Sequence, residues 1–122
     1  MILTMWEIEG TDEFAEWYDG CSDEEQQAIN EAVGKLQEHG PSLGRPLVDT
    51  LSHTRLPNLK ELRPPGAFIR VLFVFDPRRV AILLIGGDKQ DRWSKWYREY
   101  IPIAERLYED YVDELRREGL LR

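Results

Sequence analysis

The sequence is poor in the residues that would staple a small fold or carry a familiar catalytic motif. A single cysteine, Cys21, among 122 residues excludes an intramolecular disulfide, and a reducing cytoplasm suits such usage. Cys21 lies in an acidic stretch, which raises a thiol pKa and blunts it as a nucleophile. Histidine is scarce as well. His39 and His53 are not spaced as ligands on one element, and His39 falls at a helix end, where capping is the ordinary role, so neither a metal nor another cofactor is expected. The chain has no P-loop, no HExxH, no CxxC and no GxSxG elbow. No apolar run approaches the roughly 20 residues of a membrane span. The opening MILTMWEI lacks the charged start and small-residue cleavage site of a secretory signal. The expectation is a cytoplasmic chain with no membrane partner.

What is present is enough for a core. The chain is 42% hydrophobic and 11% aromatic, whereas disordered chains lack aromatics, and its length suits one domain, 1–122. The net charge of −7 argues at first against a nucleic-acid partner, but the charge is unevenly spread. Residues 1–39 hold eleven acids and one base, a net −10. Residues 40–98 hold eleven bases (Arg45, Arg55, Lys60, Arg63, Arg70, Arg78, Arg79, Lys89, Arg92, Lys95, Arg98) against five acids, a net +6. Residues 99–122 carry −3. Phosphate binding responds to the local field of a patch. Solvating acids on surface helices explain the two ends of the chain but not the arginine-rich middle.

Residues 2–9 are rich in β-formers and predict a first strand. Thr11 or Asp12 can cap a short helix carrying Phe14, Trp17 and Tyr18, which Gly20 stops. Ser22 and Glu25 have capping-box spacing. The helix that follows, about 23–38, places Ala28, Ile29, Ala32, Val33 and Leu36 on one stripe. Residues 42–57 are irregular. Three strands are then expected at 58–63, 67–75 and 79–86, the last apolar enough to be covered on both faces. The short turns between them force antiparallel pairing. A basic, aromatic connection DRWSKWYREY leads to a helix over about 102–118, with Pro102 in its first turn and Ile103, Leu107, Tyr111 and Leu115 buried. An N-terminal strand, a two-helix hairpin, an antiparallel meander and a C-terminal helix make the class α+β.

Side chains from adjacent strands about 4.8 Å apart can converge on one area. Lys60 and Arg63, Arg70, and Lys89 with Arg92 follow one another on or after the meander strands. Arg70 interrupts an apolar strand, where an unpaired charge is costly. Either it pairs with a buried acid such as Glu61 or it faces a groove.

The ordered set LKELR, then after six residues RVLFVFDPRRVAILLIGGDK, then a helix containing IPIAERLYEDY, resembles the RelE/HigB toxin superfamily, closest to its HigB-like, phage-derived branch. The likeness covers about residues 55–110. It implies a RelE-like fold and a toxin of a type II toxin–antitoxin pair. It further implies a metal-independent endoribonuclease that cleaves mRNA at the ribosome, inhibiting translation. In such a reaction the 2′-OH attacks its own phosphate. A base, an acid and cations over the developing charge are then required. Carried over on that resemblance, Lys60, Arg63 and Arg70 match the basic residues of the sheet, with Arg63 and Arg70 as phosphate clamps. Lys89 matches the basic residue after the last core strand. Tyr97 or His53 is the candidate proton-transfer group. Arg55, Arg92, Trp93, Lys95 and Trp96 are candidates for RNA contact, the tryptophans by stacking on a splayed base, although at least one of them is expected to pack the last helix instead. The acidic overall charge departs from the family, leaving the sheet patch as the attractive surface within a Debye length of about 8–10 Å.

Two readings without RNA chemistry share the fold: a ParE-type toxin that binds DNA gyrase, and a degenerate toxin that binds only its antitoxin. A proton-transfer group within hydrogen-bond reach of the arginines favours chemistry; a wholly packed Arg70–Glu61 pair favours the others. All three readings imply an antitoxin, in this branch often a helix-turn-helix DNA-binding protein, contacting residues 55–98.

Overall fold

A five-stranded sheet stands between a helical hairpin on one face and a long C-terminal helix on the other. In this computed structural model residues 5–90 and 93–121 are described, the side chain of Trp93 excepted. The strands are β1 (Ile8–Gly10), β2 (Val48–Thr50), β3 (Lys60–Leu62), β4 (Ile69–Phe75) and β5 (Ala81–Asp88). The helices are α1 (Asp12–Asp19), α2 (Asp23–His39) and α3 (Trp93–Arg117). The order across the sheet is β1-β5-β4-β3-β2. The β2–β3–β4–β5 pairs are antiparallel, and β1 joins the far edge parallel to β5. The α+β architecture and its element order match those expected.

Local chemistry sets the helical hairpin. Thr11 caps α1 by accepting a hydrogen bond from Phe14 N at 3.0 Å. Ser22 and Glu25 form both bonds of the capping box that starts α2. Ile29, Ala32 and Leu36 bury one stripe of α2 against Leu62, Ile69, Val71, Phe73, Ala81 and Leu83. On the other face Leu72, Ile82 and Leu84 meet Trp96, Ala104 and Leu107 of α3. Strand alternation therefore splits β5 between two cores, which is why it reads as one apolar run.

The structure departs from the sequence reading at several elements. β2 lies inside the stretch read as irregular. β5 runs on through Gly87 and Asp88 rather than ending at Gly86. Glycine is required there by close approach: a Cβ on Gly86 would stand 2.2 Å from the Trp17 ring, and one on Gly87 2.7 Å from Trp96 Nε1. β1 is shorter than the expected strand, and residues 2–4 of that expectation lie outside the described residues. The largest difference is α3, which begins at Trp93 and takes in the segment read as a connection. Pro102 sits inside it and so removes the helical bond to the Arg98 carbonyl. Burial of Trp96, stacked on Tyr100 with ring centroids 4.6 Å apart, holds that first segment to the sheet. Among the described residues no helix is long and apolar enough to cross a membrane.

Candidate functional site

At the β2–β3 end of the sheet, on the face that α3 covers, lies a cleft of about 810 Å³. Arg45, Asp49, Glu61 and Arg63 form its sheet wall, Tyr97, Arg98 and Glu105 its helix wall, and His53 a third side. Its hub is Glu61, a carboxylate with no exposed surface. The register puts Glu61 opposite Leu72 and so on the α3 face of the sheet. Arg63 reaches Glu61 Oε2 through Nε at 3.2 Å and Nη2 at 3.1 Å. Arg70 Nε lies 3.5 Å from Glu61 Oε1. The Tyr97 hydroxyl donates a short hydrogen bond to Glu61 and accepts one from Lys89 Nζ at 3.2 Å. Arg63 also reaches Asp49 at 3.2 Å, and Arg45 meets the same carboxylate at 3.1 Å. A chain of alternating charge thus runs from Arg45 to Lys89.

The environment sets the protonation states. Burial, then the hydrogen bond and charge of Glu61, holds the Tyr97 phenol well above its ordinary value, so it is a proton donor at neutral pH and a poor base. Burial, then the Arg70 charge, pulls Lys89 down. The Arg45 hydrogen bond is the largest cause keeping Asp49 below the usual carboxylate range. Burial alone would raise Glu105, but hydrogen bonds from Arg55 N and Thr54 and the charge of Arg55 bring it below that range. Among the described residues no group of three or more His, Cys, Asp and Glu side chains is placed to hold a metal ion. The cationic character of the cleft comes from guanidinium groups.

Several candidate residues stand elsewhere than the sequence reading placed them. Lys60 pairs with Phe73 and bonds Thr50 at 3.0 Å, which puts it on the opposite face from Glu61. It is not part of the cluster. Arg70 is the buried partner of Glu61, with a side chain 15% exposed and Nη1 bonded to the Ile69 carbonyl at 2.7 Å. The alternative that paired it with a buried acid holds, and its placement as an open phosphate clamp does not. Lys89 is buried behind Tyr97 rather than facing the cleft. Trp96 is fully buried and packs against the sheet, so it cannot stack on a base. Arg55 is tied to Glu109 at 2.7 Å. Lys95 is exposed but does not line the cleft. Arg92 and the Trp93 side chain lie outside the described residues.

Arg63, Tyr97 and His53 do come together in one cleft. Arg45, Asp49, Arg98 and Glu105 were not among the candidates. Ser94, Tyr97, Arg98, Ile101 and Glu105 fall on one face at helical spacing, a signal that a helix starting near Pro102 does not contain.

A family model described as phage-derived protein Gp49-like matches residues 16–109. The chain belongs to the Gp49-like family. The chain is 44% identical over 96 residues to the candidate toxin HigB3 of Mycobacterium tuberculosis, covering 79% of this chain and 84% of that protein. It is 41% identical over 99 residues to the candidate toxin HigB2 of the same organism, covering 79% of this chain and about half (49%) of that longer protein. The archaeal RelE–RelB complex from Pyrococcus horikoshii shares the fold, with a TM-score of 0.57 at 15% identity over 70% of this chain and 97% of that one. This Gp49-like chain is therefore HigB-like in sequence and RelE-like in fold.

Proposed function

We propose that the chain is the toxin of a toxin–antitoxin pair and that its cleft binds and cuts single-stranded mRNA at the ribosome without a metal ion. The observation that carries this reading is the meeting of Arg45, Arg63 and Arg98 with an imidazole and a phenol around one opening. RNA cleavage by its own 2′-OH asks for that set. The O2′–P bond forms as the P–O5′ bond breaks. His53 takes the 2′ proton on its imidazole, and Tyr97 gives one to the departing 5′ oxygen. His53 returns its proton to Tyr97 through water. Arg63 and Arg98 offset the charge that grows on the phosphorane, because a guanidinium fork matches phosphate oxygens. The antitoxin is inferred from the named relatives and from the RelE–RelB neighbour.

A second reading has its own support. Arg63 and Arg70 already hold Glu61 and Asp49, so the cleft could serve as a protein-docking surface without chemistry, either on gyrase or on the antitoxin alone. Inducible expression of the chain separates the two. Growth arrest with mRNA cuts that disappear in Arg63→Ala and His53→Ala supports the ribonuclease. Arrest with intact mRNA moves the assignment to the gyrase-type toxin, and no arrest from a folded, well-expressed chain moves it to binding alone.

A further inference from the structure

The loop bearing His53 is fastened from both ends. Its base closes where Leu51 N donates to the Leu59 carbonyl at 2.8 Å, and Leu56 roots it in the core under α3. Its tip is held by one carboxylate. Glu105, 6% exposed, accepts Thr54 Oγ1 at 2.8 Å and Arg55 N at 2.7 Å on the same oxygen. Arg55 Nη1 lies 3.6 Å from its other oxygen, while Arg55 Nε and Nη2 bind Glu109 one turn on. Thr54 Oγ1 in turn accepts from Leu56 N at 3.2 Å. Between the pinned tip and the closed base stands His53 at φ 57°, exposed and on the wall of the cleft.

Two features of this loop are costly. A buried carboxylate loses solvation unless hydrogen bonds replace it, and a left-handed residue other than glycine persists where its surroundings over-determine it. Packing alone would be served by a leucine at 105 and a glycine at 53. What the two costly features have in common is the direction of one imidazole.

We propose that Glu105 is a positioning residue: its carboxylate holds residues 51–56 so that His53 presents its imidazole to a single-stranded RNA phosphodiester seated between Arg63 and Arg98. This rests on the RNA reading of the cleft. In that arrangement Arg55 braces the loop and is not free to grip RNA. His53 contributes chemistry, and Glu105 contributes through His53.

The test uses the full chain and a short oligoribonucleotide with 2′-O-methyl groups, which can bind but cannot be cut. The His53 ring resonances are followed by NMR as the oligonucleotide is added, beside cleavage of ribosome-bound mRNA. In wild type the His53 resonances should move on saturation. Glu105→Ala should lose that movement while binding the oligonucleotide within about threefold of wild type, and its kcat should fall at least tenfold at nearly constant KM. Glu105→Gln keeps an acceptor oxygen and should retain both. If Glu105→Ala does not fold, Thr54→Val removes one bond to the carboxylate and should give the same pattern more weakly. An unchanged His53 response in the folded variants overturns the proposal and leaves the RNA reading standing; wild-type cleavage by His53→Ala overturns the proposal together with the place of His53 as base, and leaves RNA cleavage itself standing. An oligonucleotide that does not bind, with no cut by wild type, overturns both.

Discussion

Two ionic clusters built from nearly the same parts sit about 21 Å apart along α3, the span of 14 helical residues. Each has a tyrosine of α3 donating to a strand glutamate: Tyr97 to Glu61 and Tyr111 to Glu9. Each adds arginine and aspartate. In the Tyr111 cluster the Asp76 side chain is wholly buried. It accepts Arg78 N at 2.8 Å, Val80 N at 3.1 Å and Arg78 Nε at 2.7 Å, while Arg78 reaches Glu9 at 3.0 Å. The acids and the arginine close on one another, and the product is a locked β4–β5 turn tied to β1 and α3. Arg78 also borders a hollow of about 490 Å³, but the Tyr97 cluster faces the wider cleft of about 810 Å³. Arg70 Nε is buried without a hydrogen-bond partner, the Arg63 side chain is 33% exposed, and the group faces a cleft. Ion pairing by itself thus does not mark a site; a partly exposed guanidinium on the wall of the wider opening does.

Asp76→Ala should break the comparison hardest. It removes one of the two acids that hold Arg78 and leaves two turn N–H groups unpaired, so a loss of about 3–5 kcal/mol is expected in urea unfolding. Oligoribonucleotide affinity of the folded fraction should stay within about twofold. A loss under about 1 kcal/mol would mean that the closed cluster is not a lock. Arg63→Ala should do the reverse. Affinity for a single-stranded oligoribonucleotide should drop at least about tenfold, or about 1.4 kcal/mol. Stability should fall by less than in Asp76→Ala, because Arg70 and Tyr97 still face Glu61. Equal affinities for Arg63→Ala and wild type would remove the cleft from the RNA reading.

The closed cluster was the harder of the two to read from sequence, and the open one was legible in part. The DPRR turn announced itself through Asp76-Pro77, but nothing local said that Glu9, far off in sequence, would meet it. The meander strands β3, β4 and β5 and the α2 cap were legible because alternation and capping are local rules. Arg70 was singled out correctly as a charge in an apolar strand, and both of its possible environments were visible in advance. What could not be read was register. Lys60 and Glu61 are neighbours, and one step of register decides which of them faces α3. Pro102 misled for a physical reason: a proline usually opens a helix, and here the packing of Trp96 and Tyr100 on Gly87 outweighs the lost bond. With α3 shortened in the reading, Arg98 and Glu105 had no face to share with Tyr97.

Asp49→Asn sharpens the contrast from inside the cleft. Asp49 neutralises Arg45 and Arg63 together, occupying cations that a phosphate would use. Removing its charge should raise oligoribonucleotide affinity about threefold, with a steeper salt dependence. Stability should change little, since the Asp49 pairs are partly solvated. Weaker binding in Asp49→Asn would instead make this carboxylate an organiser of the arginines.

The smallest expected effect separates the two tyrosines by pH. Burial first, then the hydrogen bond to the glutamate, raises both phenols; Tyr111 is pushed up to about 12 and Tyr97 higher still. An unfolded tyrosine ionises near 10. The stabilisation these protons give is therefore whole below about pH 10 and is lost as pH rises through the folded values. In an alkaline absorbance titration, Tyr111→Phe should remove a tyrosinate step near 12, and Tyr97→Phe one beyond it. At the acid end the two should part. The Tyr111 hydrogen bond is the largest cause of the lowered Glu9 pKa, so stability from Glu9 is present above the unfolded carboxylate value and lost as pH falls through the folded one. Tyr111→Phe should raise the Glu9 pKa toward about 4.3, seen by NMR of its carboxyl carbon, at less than about 1 kcal/mol because Glu9 is partly exposed. A Glu9 pKa that does not move would show that Arg78 alone sets it, and the two tyrosines would then differ in more than the cleft beside one of them.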